Sequence, residues 1–85
     1  MNAVELRDVL LSCLLEVAPE IDGIEIDPDV DLREQIDIDS MDFLNFLTAV
    51  HESTGVDIPE ADYPKLATLA ACVRYLGARV EAEDA

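Results

Sequence analysis

Three stretches of this chain repeat apolar residues at helical spacing, and this periodicity limits the fold more than any other feature. In residues 3–18 the repeated apolar positions are Leu6, Leu10, Cys13 and Val17. Pro19 ends this stretch, because a proline pushes the preceding residue out of helical geometry. Similar stripes begin near Ser40 and near Thr68, while alternating strand patterns are almost absent. We therefore predict an all-α fold.

The second and third stretches have equally clear limits. One helix is predicted from Ser40 to about Ser53, where Gly55 is a suitable stop. Its inward stripe consists of Phe43, Phe46, Leu47 and Val50. Another helix is predicted from about Thr68 to Arg79. Its stripe consists of Leu69, Val73, Leu76 and Val80.

Residues 20–39 form a long connection rich in acidic side chains. Structureless loops of this length are unusual in compact domains, so we expect its apolar residues to pack on the core and a short helical turn at 31–36. The expected anchors are Ile21, Ile24, Ile26, Val30, Leu32 and Ile36. A single turn is predicted at 60–63, with Pro64 ending it or opening the next element. The predicted fold is thus a small four-helix bundle: three principal helices plus one short helix, with a long loop between helices 1 and 2.

The length of the chain suits one domain. Its 85 residues are the size of a single small domain, and 51% of them are hydrophobic, enough for one core. We predict a single domain over 1–85, with 82–85 as a frayed tail, and a monomer.

The charge of the chain limits its partners. Twenty acidic residues against five basic ones give a formal charge of -15. This balance excludes nucleic acid, which is bound through Lys and Arg, and it opposes binding to anionic membranes. It favours partner proteins with basic surfaces. No targeting or membrane-spanning segment is visible, so we predict a cytoplasmic protein.

Neither the cysteines nor the aspartates of the long loop predict a metal site. Cys13 and Cys72 lack the spacing of a metal or redox motif, and we expect both to be buried free thiols. Asp27, Asp29 and Asp31 alternate as in a calcium-binding EF-hand loop. That motif requires Gly and Glu where this chain has Leu32 and Ile38, which leaves weak surface cation binding at most.

The junction between the long loop and the second predicted helix carries the chemistry. Asp39 precedes Ser40, and an Asp at this place commonly caps a helix. A hydroxyl in the first helical turn is also exposed, rigidly held and close to backbone N–H groups that favour phosphate. Met41 and Leu44 add an apolar surface beside it. The dipeptide alone allows either reading, a simple cap or an attachment site.

Asp39-Ser40-Met41 resembles the Asp-Ser-Leu signature of acyl carrier proteins. Leu32 and Ile36 stand where that family has two apolar loop anchors. Ile58-Pro59, followed by Glu60 and Asp62, resembles the family's link into its short third helix. Lys65-Leu66-Ala67-Thr68-Leu69 and Val73-Arg74-Tyr75-Leu76 resemble the start and body of its last helix. The resemblance covers nearly the whole chain.

The resemblance implies a carrier protein and not an enzyme. Ser40 would receive 4'-phosphopantetheine from a phosphopantetheinyl transferase, and the arm would hold acyl groups as thioesters for acyl-loading and acyl-processing enzymes. Asp39 would position the transferase's metal and coenzyme A, or cap the helix. The implied partner surface consists of Met41, Asp42, Asn45, Thr48 and Glu52. The implied acyl-pocket residues are Phe46, Leu47, Val50, Leu66, Leu69 and Val73.

Departures from the family leave the pathway open. Asp37 stands where the family has Gly, so either the loop backbone differs or Asp37 takes a left-handed conformation. Asn45 and Thr48 stand where acidic or apolar contact residues are expected. Fatty-acid, polyketide and specialised lipid pathways all remain possible. Two alternatives also stay open: an aminoacyl or peptidyl carrier, and an unmodified acidic helical adaptor that binds a basic partner.

Overall fold

The computed structural model describes the backbone of residues 2–84 and the side chains of residues 2–80. Its α-helices are α1 (Ala3–Val17), α2 (Leu32–Gln35), α3 (Ser40–Thr54) and α4 (Leu69–Asp84). Two 3-10 helices lie at Pro19–Ile21 and Glu60–Leu66. Within the described residues there is no β-strand, only one isolated antiparallel bridge between Asp31 and Thr68. The prediction of an all-α bundle with three principal helices and one short helix is confirmed.

The first helix lies where the periodicity predicted it. Asn2 caps α1, because its side-chain oxygen accepts the backbone N–H of Glu5 at 2.9 Å. The helix ends at Val17, and Pro19 opens a 3-10 turn immediately afterwards. Its buried stripe consists of Leu6, Leu10, Cys13 and Leu14.

One apolar core joins the three long helices. Phe46 and Val50 of α3 are fully buried, as are Leu14 of α1 and Leu76 of α4. Among the described side chains, no polar or charged residue is buried. Cys13 and Cys72 both lie in this core as free thiols, as predicted. Burial raises the pKa of the Cys72 thiol to about 12.

The long connection packs onto the bundle as predicted. Leu32 is completely buried, and its N–H donates to the carbonyl of Ala67 at 2.8 Å. The N–H of Ala70 donates to the carbonyl of Pro28 at 2.9 Å. The predicted turn at 31–36 appears as α2. Ile24 is an incorrect anchor: 56% of it is exposed, because the chain turns away from the core at Gly23.

The short helix is longer than predicted. It spans Glu60–Leu66 as a 3-10 helix, and Pro64 lies inside it and neither ends it nor opens the next element. Its Asp62 accepts hydrogen bonds from Tyr75 Oη at 2.6 Å and Arg79 Nη2 at 3.0 Å, and pairs with Lys65 at 3.1 Å. The bonds from Tyr75 and Arg79 join this 3-10 helix to α4.

The last helix also exceeds its predicted end. Its backbone continues to Asp84, five residues past Arg79. Ala85 and the side chains of residues 81–84 lie outside the described part, so the frayed tail at 82–85 stays a prediction. None of the described helices combines the length and the hydropathy that a membrane span requires. The cytoplasmic location, the monomeric state and the single domain over 1–85 also stay predictions.

Candidate attachment site

Ser40 is the first residue of α3, and a pair of aspartates fixes its position. Asp39 adopts an extended backbone, and its Oδ1 accepts the N–H of Asp42 at 2.8 Å. In return, Asp42 Oδ2 accepts the N–H of Asp39 at 3.4 Å. This reciprocal capping box satisfies two backbone donors that the helix itself leaves unpaired. The cap therefore holds Ser40 at the helix start, where its side chain is exposed.

The loop that leads into the site is anchored on both sides of Asp37. Ile36 and Ile38 are each only 7% exposed, whereas Asp37 between them is exposed. No described residue other than glycine has a positive φ. Asp37 therefore needs no left-handed conformation, and two buried isoleucines fix the loop at a position where the resemblance implies Gly.

The only histidine lies far from this hydroxyl. His51 is eleven residues after Ser40 on α3, which corresponds to about 16 Å along the helix. Its Nδ1 is 2.8 Å from the carbonyl oxygen of Val56 and 3.7 Å from Asp57 Oδ1. These contacts place the imidazole at the opposite end of α3, out of reach of the Ser40 hydroxyl.

The aspartates of the long loop form local hydrogen bonds. Asp27 Oδ1 accepts the N–H of Asp29 at 2.9 Å, and Asp31 Oδ1 caps α2 by accepting the N–H of Arg33 at 2.8 Å. Among the described residues, no group of three or more His, Cys, Asp or Glu side chains is arranged to hold a metal ion.

The five predicted partner-binding residues lie on one side of α3. Two of them are in the first turn of the helix and the others follow at steps of three or four residues, which places the set along a single stripe. Four of them are exposed and one is half-buried; the set is Met41, Asp42, Asn45, Thr48 and Glu52. We call this set the α3 stripe. Met41 is 64% exposed, and Leu44 beside it is 40% exposed. The stripe thus combines apolar and acidic groups next to the candidate attachment oxygen.

The six acyl-pocket candidates belong to the core. Five of them are at most 2% exposed: Phe46, Leu47, Val50, Leu66 and Leu69. Val73 is half-buried and packs against them. A chain could enter only if these side chains moved apart, and their role in holding an acyl group stays a prediction.

A surface groove adjoins Ser40 that the sequence did not predict. Its volume is about 350 Å³, within the range of small-molecule sites. It lies between the α2 turn, the start of α3 and the 3-10 helix Glu60–Leu66. Its lining residues are Asp31, Arg33, Ser40, Phe43, Leu44, Tyr63, Pro64 and Ala67. The one hint in the sequence was Phe43, an aromatic residue on the first turn after the candidate attachment oxygen.

These features fit a phosphodiester-linked arm. The hydroxyl is exposed in the first turn of a 15-residue helix, where the N-terminal backbone N–H groups favour an anion. The adjoining groove offers mostly apolar walls for an arm that leaves Ser40. Neither feature requires any rearrangement of the core.

Comparison with known proteins identifies the family. The profile of the family described as "Phosphopantetheine attachment site" matches residues 8–76 of this chain. An acyl carrier protein of Campylobacter hominis is 33% identical over 72 residues, which is 85% of each chain. The chain belongs to the acyl carrier protein family. Its prosthetic group is accordingly 4'-phosphopantetheine, and its role is that of a carrier.

Other relatives are more distant. An acyl carrier protein of Rubrobacter xylanophilus is 26% identical over 73 residues, covering 82% of this chain and 90% of that protein. The "Meromycolate extension acyl carrier protein" of Mycolicibacterium smegmatis is 27% identical over 73 residues, covering 82% of this chain and 74% of that protein. No solved structure gives a significant match.

Proposed function

We propose that Ser40 is the residue that carries the 4'-phosphopantetheine arm. The observation that supports this assignment is its exposed hydroxyl at the first position of α3, fixed by the Asp39–Asp42 capping box. Ser12 and Ser53 are also exposed, but Ser12 lies inside α1, and Ser53 lies in the last turn of α3, 3.6 Å from Cys13 Sγ. Neither has a helix N-terminus beside it.

In the proposed reaction, Ser40 Oγ attacks the phosphorus of coenzyme A that bears the pantetheine. The new Ser40 O–P bond forms as the pyrophosphate P–O bond breaks and adenosine 3',5'-bisphosphate leaves. A base of the transferase takes the hydroxyl proton, because His51 lies at the other end of the helix. When bound, the group supplies a thiol that holds acyl chains as thioesters. The capping box contributes a fixed position for the attacking oxygen.

The partners that we propose are a phosphopantetheinyl transferase and acyl-processing enzymes with basic docking surfaces. Two properties support them: the net charge of -15 and the α3 stripe beside Ser40. Opposite charges on two partners raise the rate of encounter and orient the complex. The stripe also offers Met41 as an apolar contact at its end nearest the arm.

Intact-mass measurement tests the assignment of Ser40. The protein would be incubated with coenzyme A and a transferase that modifies a control carrier. We expect one added phosphopantetheine group on the wild type and on S12A, and none on S40A. A mass increase that persists in S40A would show that another residue carries the arm. An unmodified wild type would instead favour the adaptor alternative.

Mass spectrometry of protein isolated from its native cells would separate the kinds of cargo. An acyl thioester on the arm would support the acyl assignment, and an aminoacyl or peptidyl thioester would replace it. The mass of the cargo also gives its elemental composition, and its oxygen content separates a fatty-acyl chain from a polyketide intermediate.

A further inference from the structure

The groove beside Ser40 contains one cationic side chain, Arg33. The chain has five basic residues, and two of them, Lys65 and Arg79, pair with Asp62, which does not line the groove. Arg7 and Arg74 do not line the groove. Among the described residues, Arg33 is thus the only one of the five basic side chains that lines this groove.

The backbone of Arg33 is firmly positioned. Its N–H donates to Asp31 Oδ1 at 2.8 Å, which caps the short helix α2. The preceding residue, Leu32, is completely buried and donates its N–H to the carbonyl of Ala67, another residue of the groove wall. Two walls of the groove are therefore joined by a backbone hydrogen bond directly beside Arg33.

The guanidinium group of Arg33 has no carboxylate partner. Within the described side chains, no Asp or Glu oxygen lies within 4.0 Å of it. Asp31 is the only acidic side chain in the groove, and its Oδ1 is occupied by the helix cap. The guanidinium is therefore available to an anion that enters the groove.

We propose that Arg33 binds the phosphodiester of the arm carried by Ser40, and that the apolar groove walls hold the arm against the protein. This inference rests on the proposed attachment at Ser40. A phosphodiester on that oxygen adds a negative charge next to Asp39 and Asp42, and these carboxylates would repel it. Arg33 offsets this repulsion, because a guanidinium donates paired hydrogen bonds to phosphate oxygens.

The remaining walls suit the rest of the arm. Phe43 and Tyr63 are half-buried, and with Leu44 and Pro64 they form a mostly apolar surface beside the hydroxyl. Pantetheine has a branched apolar segment close to its phosphate, and this segment would contact the two aromatic rings. Arg33 thus acts as a positioning residue for the arm.

Nuclear magnetic resonance of the loaded protein tests this role directly. Wild type, R33Q and the control R74Q would each be converted with coenzyme A and a transferase, leaving the thiol free of cargo. Arg74 is exposed on α4 and does not line the groove, so R74Q makes the same change of charge elsewhere. We expect loading to slow solvent exchange of the Arg33 Nε–H by about two- to fivefold, the range of an exposed charge pair.

Two further signals follow from the same samples. The phosphorus resonance of the arm should differ between wild type and R33Q but not between wild type and R74Q. Nuclear Overhauser contacts from the arm's methyl groups to Phe43 and Tyr63 should weaken in R33Q alone.

The outcomes separate this inference from the assignment of Ser40. If the mass increase is complete but the Arg33 signals do not respond, the inference is wrong while the attachment stands. Equal effects of R33Q and R74Q would also overturn it, since they would show a general charge effect. A response that appears only after loading cargo with a free carboxylate would assign Arg33 to the cargo instead. An absent mass increase would reject Ser40 and this inference together.

Discussion

At the scale of single residues, Asp39 directly precedes the candidate attachment residue, Ser40, and caps the helix that Ser40 begins. Its carboxylate accepts the N–H of Asp42 and so fixes the backbone on both sides of Ser40. The same carboxylate carries a charge next to the hydroxyl that a transferase would esterify. Capping and positioning of the transferase's metal therefore depend on different properties of one side chain, hydrogen-bond acceptance and charge.

Two substitutions separate these properties. D39A removes the cap and should lower the free energy of unfolding by about 0.5–2 kcal/mol, whereas D39N retains an oxygen acceptor and should change it little. If the charge positions the transferase's metal, both variants should be loaded more slowly than the wild type. Denaturant unfolding and intact-mass time courses measure the two effects. Loading of D39N at the wild-type rate would assign Asp39 to capping alone.

At the scale of secondary-structure elements, the end of α3 depends on backbone conformation. Gly55 terminates the helix with φ of 73°, and its N–H donates to the carbonyl of His51 at 2.8 Å. Apart from Gly55 and its two chain neighbours, no described atom lies within 4 Å of the place that an alanine Cβ would occupy. The need for glycine is therefore conformational and not steric.

Alanine at two glycines should have opposite effects. G55A forces a left-handed conformation on a residue with a side chain and should destabilise the protein by about 1–2 kcal/mol. G77A lies inside α4, where its Cβ would be 3.8 Å from Leu6 Cδ1, an ordinary contact. It should stabilise the protein by about 0.5–1 kcal/mol. Denaturant unfolding measures both, and a stabilising G55A would contradict this account of the helix end.

The α3 stripe predicts a local effect of charge on docking. E52K reverses an exposed charge on the stripe, whereas E20K makes the same net change in the first 3-10 helix. We expect E52K to raise the KM of a partner enzyme for the protein by up to about fivefold at low salt, since exposed pairs contribute about 0.2–1 kcal/mol. E20K should have less effect. Equal effects would show that net charge, and not the stripe, attracts the partner.

The 3-10 helix Glu60–Leu66 should be held less firmly in acid. Hydrogen bonds from Tyr75, Lys65 and Arg79 lower the pKa of Asp62 from 3.8 to about 2. Because its folded pKa is depressed, Asp62 contributes stability above about pH 4, and this contribution is lost as the pH falls towards 2.

The variant D62N measures this contribution. The difference in free energy of unfolding between wild type and D62N should shrink between pH 5 and pH 2. D22N, at an exposed aspartate outside this cluster, serves as the control and should show a smaller change over the same range. If the difference in free energy of unfolding between wild type and D62N does not change with pH, ionised Asp62 is not the group that joins the 3-10 helix to α4.

At the scale of the whole molecule, a net charge of -15 opposes folding into a small volume. The described residues have a radius of gyration of 12.0 Å, about the value expected for a folded chain of this length. The acidic side chains therefore lie within a short distance of one another, and they repel. At physiological ionic strength, salt largely screens the repulsion between exposed charges that are more than about 8 Å apart.

Added salt or divalent cations should raise the melting temperature. A gain of about 1 kcal/mol corresponds to about 4–8 °C for a domain of this size. Calorimetry at increasing sodium chloride and at low magnesium chloride measures the shift, with an uncharged osmolyte as the control. A melting temperature that neither salt changes would show that charge repulsion has little effect on stability.

The sequence alone determined two of the long helices, α1 and α3, and the candidate attachment residue. Apolar residues at helical spacing located α1 and α3 to within one residue at each end. Asp39, Ser40 and Asp42 lie within four positions of the chain. The capping box that fixes Ser40 at the start of α3 is therefore a local interaction that needs no tertiary information. Both features depend on contacts between residues a few positions apart.

Only the tertiary structure decided the features that depend on distant residues. The 3-10 helix Glu60–Leu66 is bound to α4 because Tyr75 and Arg79, more than ten positions later in the chain, donate hydrogen bonds to Asp62. The groove beside Ser40 exists because three separate segments meet there, and its cation, Arg33, could not be assigned to it from spacing. A periodic pattern shows which face of a helix is buried, but only packing shows which surfaces meet to form a groove.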